Sequence, residues 1–257
     1  MIPAELEFEA CKFLRAPTVR VISALLGAVV PALAAALTVA ATSDSVTPIA
    51  LKASAMVIGT GWNGYLSTVG MVLSVAVLLG VGFVLSWSFG REFTDHTFSA
   101  LFALPVSRRR LAYAKFIVVI AWSLLLCLVT ILLALPLGLA IGLGPPDSAA
   151  LSVGARILVT WSLTTLLACP LAWVASAARG YLAAVGALIL VIVVTQVVTA
   201  FGGGAWFPYA APGLWMGLGG PAASQVTPLQ LLLAVPVGAA GVWVTGRWWK
   251  TAELTRR

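Results

Sequence analysis

The sequence predicts an all-α membrane protein with six transmembrane helices, and three observations predict it. Of its 257 residues 61% are hydrophobic and only 9% are charged, with a mean hydropathy of +1.07, whereas soluble chains carry about 25% charged residues. Six apolar stretches each reach the roughly 20 residues that a helix needs to cross the hydrocarbon core. Apart from Lys52 and Arg156, every Lys and Arg falls on one side of the resulting topology. The same composition excludes disorder, which goes with low hydrophobicity and high charge. Three cysteines make no disulfide framework.

The first element is the segment Glu5 to Arg15, with Leu6, Ala10, Phe13 and Leu14 near one side of a helix and Glu5, Glu9 and Lys12 on another. It reads as an amphipathic interfacial helix ending near Pro17, serving either as an anchor or as a docking element for a partner. The spans follow as 19–41, 66–89, 116–143, 157–178, 181–200 and 229–249, forming one transmembrane domain over 1–257. The first is too long for a signal peptide, and the acidic Glu5, Glu7 and Glu9 before it are unlike a basic leader. Six spans put both termini on one side, and the positive-inside rule makes that side the cytoplasm. The net charge of +7 is therefore a topology signal, and no nucleic-acid partner is expected.

Pro31, Pro136, Pro170 and Pro236 lie inside spans and should kink them. Gly138 and Gly142 have the GxxxG spacing of close-packing helices, a weak sign of self-association. The segment 201–227 is apolar but broken by Gly202-Gly203-Gly204, Pro208, Pro212 and Pro221. Its rings Trp206, Phe207, Tyr209 and Trp215 suit either an interfacial anchor or a re-entrant hairpin capping a translocation path.

Missing chemistry narrows the function. No GxxxxGK[ST] phosphate cradle, HExxH, CxxC or GxSxG occurs, so a complete ATP-driven pump and a membrane hydrolase are both disfavoured, and no metal or cofactor is expected on this chain. The middles of the spans carry no Asp, Glu, Lys or His, unlike ion-coupled transporters. Thr160 and Thr164 in the fourth span, and Thr195, Gln196 and Thr199 in the fifth, remain as polar candidates. They read either as interhelical hydrogen-bonding groups or as a path for an amphipathic or apolar cargo.

Between the second and third spans, Phe93, Thr97, Ala100, Leu101 and Leu104 follow helical spacing until Pro105, and Ser107 is placed to cap the next helix. Arg108, Arg109 and Arg110 oppose that helix's dipole, so their use lies in topology or in contact with membrane lipids or an acidic partner.

Glu92, Thr97, Leu101, Pro105-Val106-Ser107-Arg108, Leu111 and Lys115 give the spacing E-x4-T-x3-L-x3-PVSR-x2-L-x3-K. This resembles the first cytoplasmic loop of type-2 ABC transporter permeases. The amphipathic amino-terminal helix, the six spans and the Gly/Pro-broken segment before the last are similar too. Asp95-His96 departs from the small residue, commonly Gly, that the family often has before the threonine. The resemblance implies a permease subunit of the cytoplasmic (inner) membrane, a homodimer or a heterodimer with a related permease, seated on a cytoplasmic ABC ATPase subunit that holds ATP and Mg. It implies a coupling helix carrying Glu92, Phe93, Thr97, Leu101, Leu104, Pro105 and Arg108, with Glu9, Lys12 and Phe13 of the amino-terminal helix beside it. The expected role is non-catalytic: ATP-driven export of an antibiotic, peptide or lipid. A non-pumping scaffold or immunity-type ligand-binding protein is the alternative, and a membrane enzyme ranks last.

Overall fold

In a computed structural model, residues 4–43, 47–95, 107–220 and 225–252 are described. Twelve α-helices appear among them: α1 (Ala4–Leu14), α2 (Pro17–Ala24), α3 (Val30–Thr42), α4 (Pro48–Met56), α5 (Gly61–Thr94), α6 (Arg108–Ala140), α7 (Ser148–Ala168), α8 (Pro170–Ala177), α9 (Tyr181–Ala200), α10 (Ala211–Trp215), α11 (Pro228–Leu232) and α12 (Ala234–Thr251). Six helical units are long and apolar enough to span a bilayer: α2–α3, α5, α6, α7–α8, α9 and α11–α12. The chain is thus an all-α, multi-pass membrane protein. One outer element had no counterpart in the sequence reading. Helix α4 starts at Thr47, whose hydroxyl accepts from the Ala50 amide, and packs on α3.

Three of the four span prolines coincide with a break in the helix. A proline removes the N–H that would bond the carbonyl four residues back, and its ring crowds that carbonyl. Before Pro31 the chain runs as a π-helical turn, Leu25–Val29. Before Pro170 helix α7 ends, with Cys169 N–H donating to the Leu166 carbonyl at 3.0 Å. Before Pro236 α11 gives way to α12. Pro136 leaves α6 unbroken from Arg108 to Ala140.

Helix α5 is the bundle's centre, packed by α3, α6, α7, α8 and α9, and 72% of its apolar window is buried. Helix α9 is peripheral, with 11% of its window buried. Two glycines set close approaches. A Cβ at Gly241 of α12 would stand 2.6 Å from the Pro170 nitrogen, and one at Gly138 of α6 would stand 2.4 Å from the Trp62 ring. Gly138 therefore receives Trp62, whose Nε1 donates to the Gly144 and Pro145 carbonyls, both at 3.1 Å. Gly142 has φ +83° just past the end of α6. Within the chain, the GxxxG spacing thus serves a packing contact at Gly138 and a helix terminus at Gly142.

Helix α1 and the end of α12 lie at one end of the bundle. Arg108, at the start of α6, donates to the Ala252 carbonyl and, at 3.4 Å, to the Lys250 carbonyl in the last turn of α12. Helix α1 packs along α6 at the same end. Ser107 caps α6 as expected, its Oγ accepting from the Arg110 amide at 3.3 Å. Arg108 thus satisfies carbonyls at the end of another helix, where a cation is electrostatically favoured. Arg109 instead bonds the Tyr113 hydroxyl at 3.0 Å.

Candidate functional site

The largest concentration of buried charge sits at the basic end. The amphipathic pattern of α1 puts Glu9 and Phe13 one turn apart on a buried face. Glu92 comes from the last turns of α5 and Lys115 from the second turn of α6. The Lys115 ammonium donates to Glu9 Oε2 at 2.8 Å and to Glu92 Oε1 at 2.7 Å, and Lys12 donates to the same Glu92 oxygen at 2.6 Å. Glu92 and Lys115 are each 1% exposed at the side chain, whereas Lys12 is 29% exposed. Two carboxylates and two ammonium groups balance in charge, which is what allows burial at a desolvation cost of several kcal/mol per ion.

Aromatic packing surrounds this cluster. Phe13 meets Trp122 edge-on at 5.5 Å, and Trp122 Nε1 donates to Ser23 Oγ at 3.0 Å. Phe89 packs at a tilt on Phe116 at 4.9 Å and meets Trp249 edge-on at 5.6 Å. Phe93 packs on Trp248 at 5.8 Å. Helices α1, α5, α6 and α12 are thereby locked together where the chain enters segment 96–106. Of the sequence candidates for coupling, Glu9, Lys12, Phe13, Glu92, Phe93 and Arg108 all belong to this assembly. Thr97, Leu101, Leu104 and Pro105 lie outside the described residues. Lys115, the centre of the cluster, was legible only as part of the loop spacing and not as a site residue; its signal was a lone lysine one residue before the apolar run that begins at Phe116.

The opposite half of the bundle is built differently. Residues 204–215 fold back as a 3-10 turn (Gly204–Trp206) and α10, with Ala211, Pro212, Gly213 and Leu214 buried. Tyr209 and Ala211 pack with Leu163 and Leu167 of α7 and Leu231 of α11. The segment is therefore a hairpin tucked among the spans and not a surface anchor alone. Arg156 of α7 holds it: Nη2 donates to the Trp215 carbonyl at the end of α10, and the guanidinium lies 5.1 Å from the Trp215 ring centroid. Exposed Trp206 keeps the character of an interfacial ring.

Between this hairpin, α5 and α9 lies a cavity of about 300 Å³, lined by Ser74, Thr195, Gln196, Thr199 and Tyr209 with Leu78, Leu214 and Leu218. A second space of about 630 Å³, lined chiefly by Met56, Ile58, Met71, Val72 and Leu79, adjoins it. Both touch Val75, Leu218 and Gly219. Among the described residues, no Asp, Glu, Lys, Arg or His lines either one. Burial, with Cys169 nearby as the lesser cause, pushes the Tyr209 hydroxyl up to about 12, so it stays protonated and able to donate.

The polar span residues separate into two groups. Thr195, Gln196 and Thr199 line the cavity; Thr160 and Thr164 do not, and are buried within the bundle at 2% and 3% exposure. The hydroxyls of Thr164, Thr195 and Thr199 donate to carbonyls of their own helices at 2.8, 2.6 and 2.7 Å, so they do not bridge helices as expected. The buried interhelical network runs instead through Ser123, which bonds Thr165 at 2.8 Å and accepts from Trp161 Nε1 at 2.8 Å. A threonine in a helix reaches its own i−4 carbonyl without any partner, and Thr164, Thr195 and Thr199 take this local option, whereas the buried Thr160 hydroxyl has no hydrogen-bond partner among the described residues. Among the described residues no group of His, Cys, Asp and Glu suited to a metal is found.

A family model for the ABC-2 family transporter protein matches residues 6–196. No curated protein and no solved structure matches the chain. The matched stretch contains the whole ion cluster and Ser74, Thr195 and Gln196 of the cavity; Thr199, the hairpin and the last span follow it.

Proposed function

Because the chain belongs to the ABC-2 transporter family, we propose that it is the non-catalytic permease subunit of an ATP-driven exporter in the cytoplasmic membrane. Nucleotide and Mg stay on a separate cytoplasmic ATPase subunit, the kind of partner this family pairs with. Two permease chains, identical or related, assemble over that partner. The sparsely buried α9 supports such pairing, because only 11% of its apolar window is covered by the described chain, which leaves a long apolar face for a second permease to pack on.

One observation carries the coupling role: the Glu9–Lys115–Glu92–Lys12 cluster ties α1 and α6 to the end of α5 beside segment 96–106. A push on that segment by a closing ATPase is delivered to α5, which contacts most of the other spans. Because packed interfaces are bistable and not freely deformable, a small displacement there becomes a reorientation of the spans. Cargo of amphipathic or apolar character passes through the cavities of the opposite half, whose described lining is uncharged.

The test is affinity purification of tagged protein from its native membrane, with mass spectrometry and ATPase assays on what co-purifies. A soluble chain bearing GxxxxGK[ST] in near-equal amount, with vanadate-sensitive activity, is the expected result. Repeated recovery without an ATPase overturns the reading and favours the non-pumping binder.

A further inference from the structure

We infer that the paired cavities beside the hairpin form one bipartite cargo site, taking an amphiphile with an uncharged, hydrogen-bonding head and a single apolar arm. The inference rests on the transport reading above and names the cargo class for it.

The smaller chamber is suited to the head. Among the described residues, the Gln196 amide and the Tyr209 hydroxyl are both without a hydrogen bond. The protons of Ser74, Thr195 and Thr199 are committed to backbone carbonyls at 2.6 to 2.7 Å, so these three oxygens face a ligand only as acceptors. Such a set matches a head that both donates and accepts, such as a glycerol, an alcohol or an amide. A formal charge would enter without compensation, because among the described residues no Asp, Glu, Lys, Arg or His lines the space, and an unpaired ion in a low-dielectric site is heavily penalised. Arg156 does not line it; its Nη2 is used on the Trp215 carbonyl.

The larger chamber is suited to the arm. Met56, Ile58, Met71 and Leu79 wall it, and its volume is about 630 Å³ against about 300 Å³ for its neighbour. Methionine adapts to irregular apolar shapes. Leu218 and Val75 border both chambers, so they form the ridge over which head and arm are divided. Leu218 is 37% exposed and can be changed without opening the packed core.

The experiment uses the intact complex with its ATPase in lipid nanodiscs and radiolabelled monolaurin as probe, with lauroyl lysophosphatidic acid and laurylamine as competitors carrying the same arm but a charged head. Saturable monolaurin binding is expected, with both charged analogues at least about tenfold weaker, a gap of about 1.4 kcal/mol or more. Leu218→Trp should weaken monolaurin by about tenfold, and Gln196→Leu by several-fold, while both variants retain their ATPase partner as a control for folding. Depletion of bound probe during ATP turnover marks it as cargo. Equal binding of the charged analogues, unaltered binding in both variants, or occupancy indifferent to turnover, as for a resident lipid, each overturns the inference. A complex that hydrolyses ATP yet binds no monolaurin overturns this inference and leaves the transport reading standing. Failure to recover any ATPase overturns the transport reading itself.

Discussion

The two halves of the bundle use polarity in opposite ways. At the basic end four ionised side chains from α1, α5 and α6 are paired and mostly buried. At the other end the polar groups lining the cavity are neutral, two of them, the Gln196 amide and the Tyr209 hydroxyl, are without partners among the described residues, and they border open space. Buried ion pairs hold their geometry only while every member is present, so the basic end suits the transmission of a push. Neutral hydroxyls and an amide can exchange partners at low cost, which suits a surface that must bind and release. The contrast also separates α5, the shared central rod, from α9, which lines the cavity but is mostly uncovered.

The largest expected effect is from Lys115→Met, which strands Glu9 in a buried site and leaves Glu92 with only the partly exposed Lys12. A loss of about 3 to 5 kcal/mol in stability is expected, measured as reduced yield and a lowered Tm of the purified complex. Adding Glu9→Gln and Glu92→Gln to that variant should restore a large part of the loss; no recovery would show that the cluster is not the stabilising unit assumed here. Next is Arg156→Met, which frees the carbonyl end of α10. Losing a charge-assisted hydrogen bond costs about 1.5 to 3 kcal/mol, seen as faster proteolysis within residues 201–220, with export falling more than partner ATPase activity. Equal proteolysis in variant and wild type would show that the hairpin is held by packing alone.

Smaller still is Lys12→Met. Its ammonium is partly exposed, so solvent screening leaves it worth no more than about 1 kcal/mol, and Glu92 keeps Lys115. A Tm close to wild type together with weakened stimulation of the ATPase is the expected pattern; unchanged stimulation would limit the coupling role to the buried members. The smallest effect on stability belongs to Gln196→Leu, within about 0.5 kcal/mol as for an exposed substitution, although export should change. If that variant lost stability to the same degree as Lys115→Met, the division between a structural end and a permissive end would fail.

Much of the fold was legible from local properties. Ser107 declared itself as a cap, Pro170 and Pro236 announced breaks in their spans, and the loop spacing around Glu92 led to the family that the match over 6–196 bears out. Glu9, Lys12 and Phe13 were also legible, because a helix with acidic and apolar faces shows in 11 residues. The cavity was half legible: Thr195, Gln196 and Thr199 stood out as polar residues in an apolar run, but Ser74 on α5 and Tyr209 in the hairpin carried no comparable signal. Thr160 and Thr164 had the same signal as Thr195 and Thr199 and yet are buried away from the cavity. Period along one helix says which residues share a face, not what that face meets.

The sequence alone determined the class, the six spans and the asymmetry of basic residues, because hydrocarbon imposes its demand on each segment separately: enough apolar length, and every backbone group satisfied within the helix. Only the tertiary structure decided that Lys115 stands between Glu9, 106 residues away, and Glu92, 23 residues away, and that Arg156 holds the carbonyl end of a hairpin 59 residues further on. Inside a bilayer apolar burial does little to select one helix neighbour over another. The choice falls to close packing at residues such as Gly138 and Gly241 and to a few polar groups, whose partners depend on how distant helices meet.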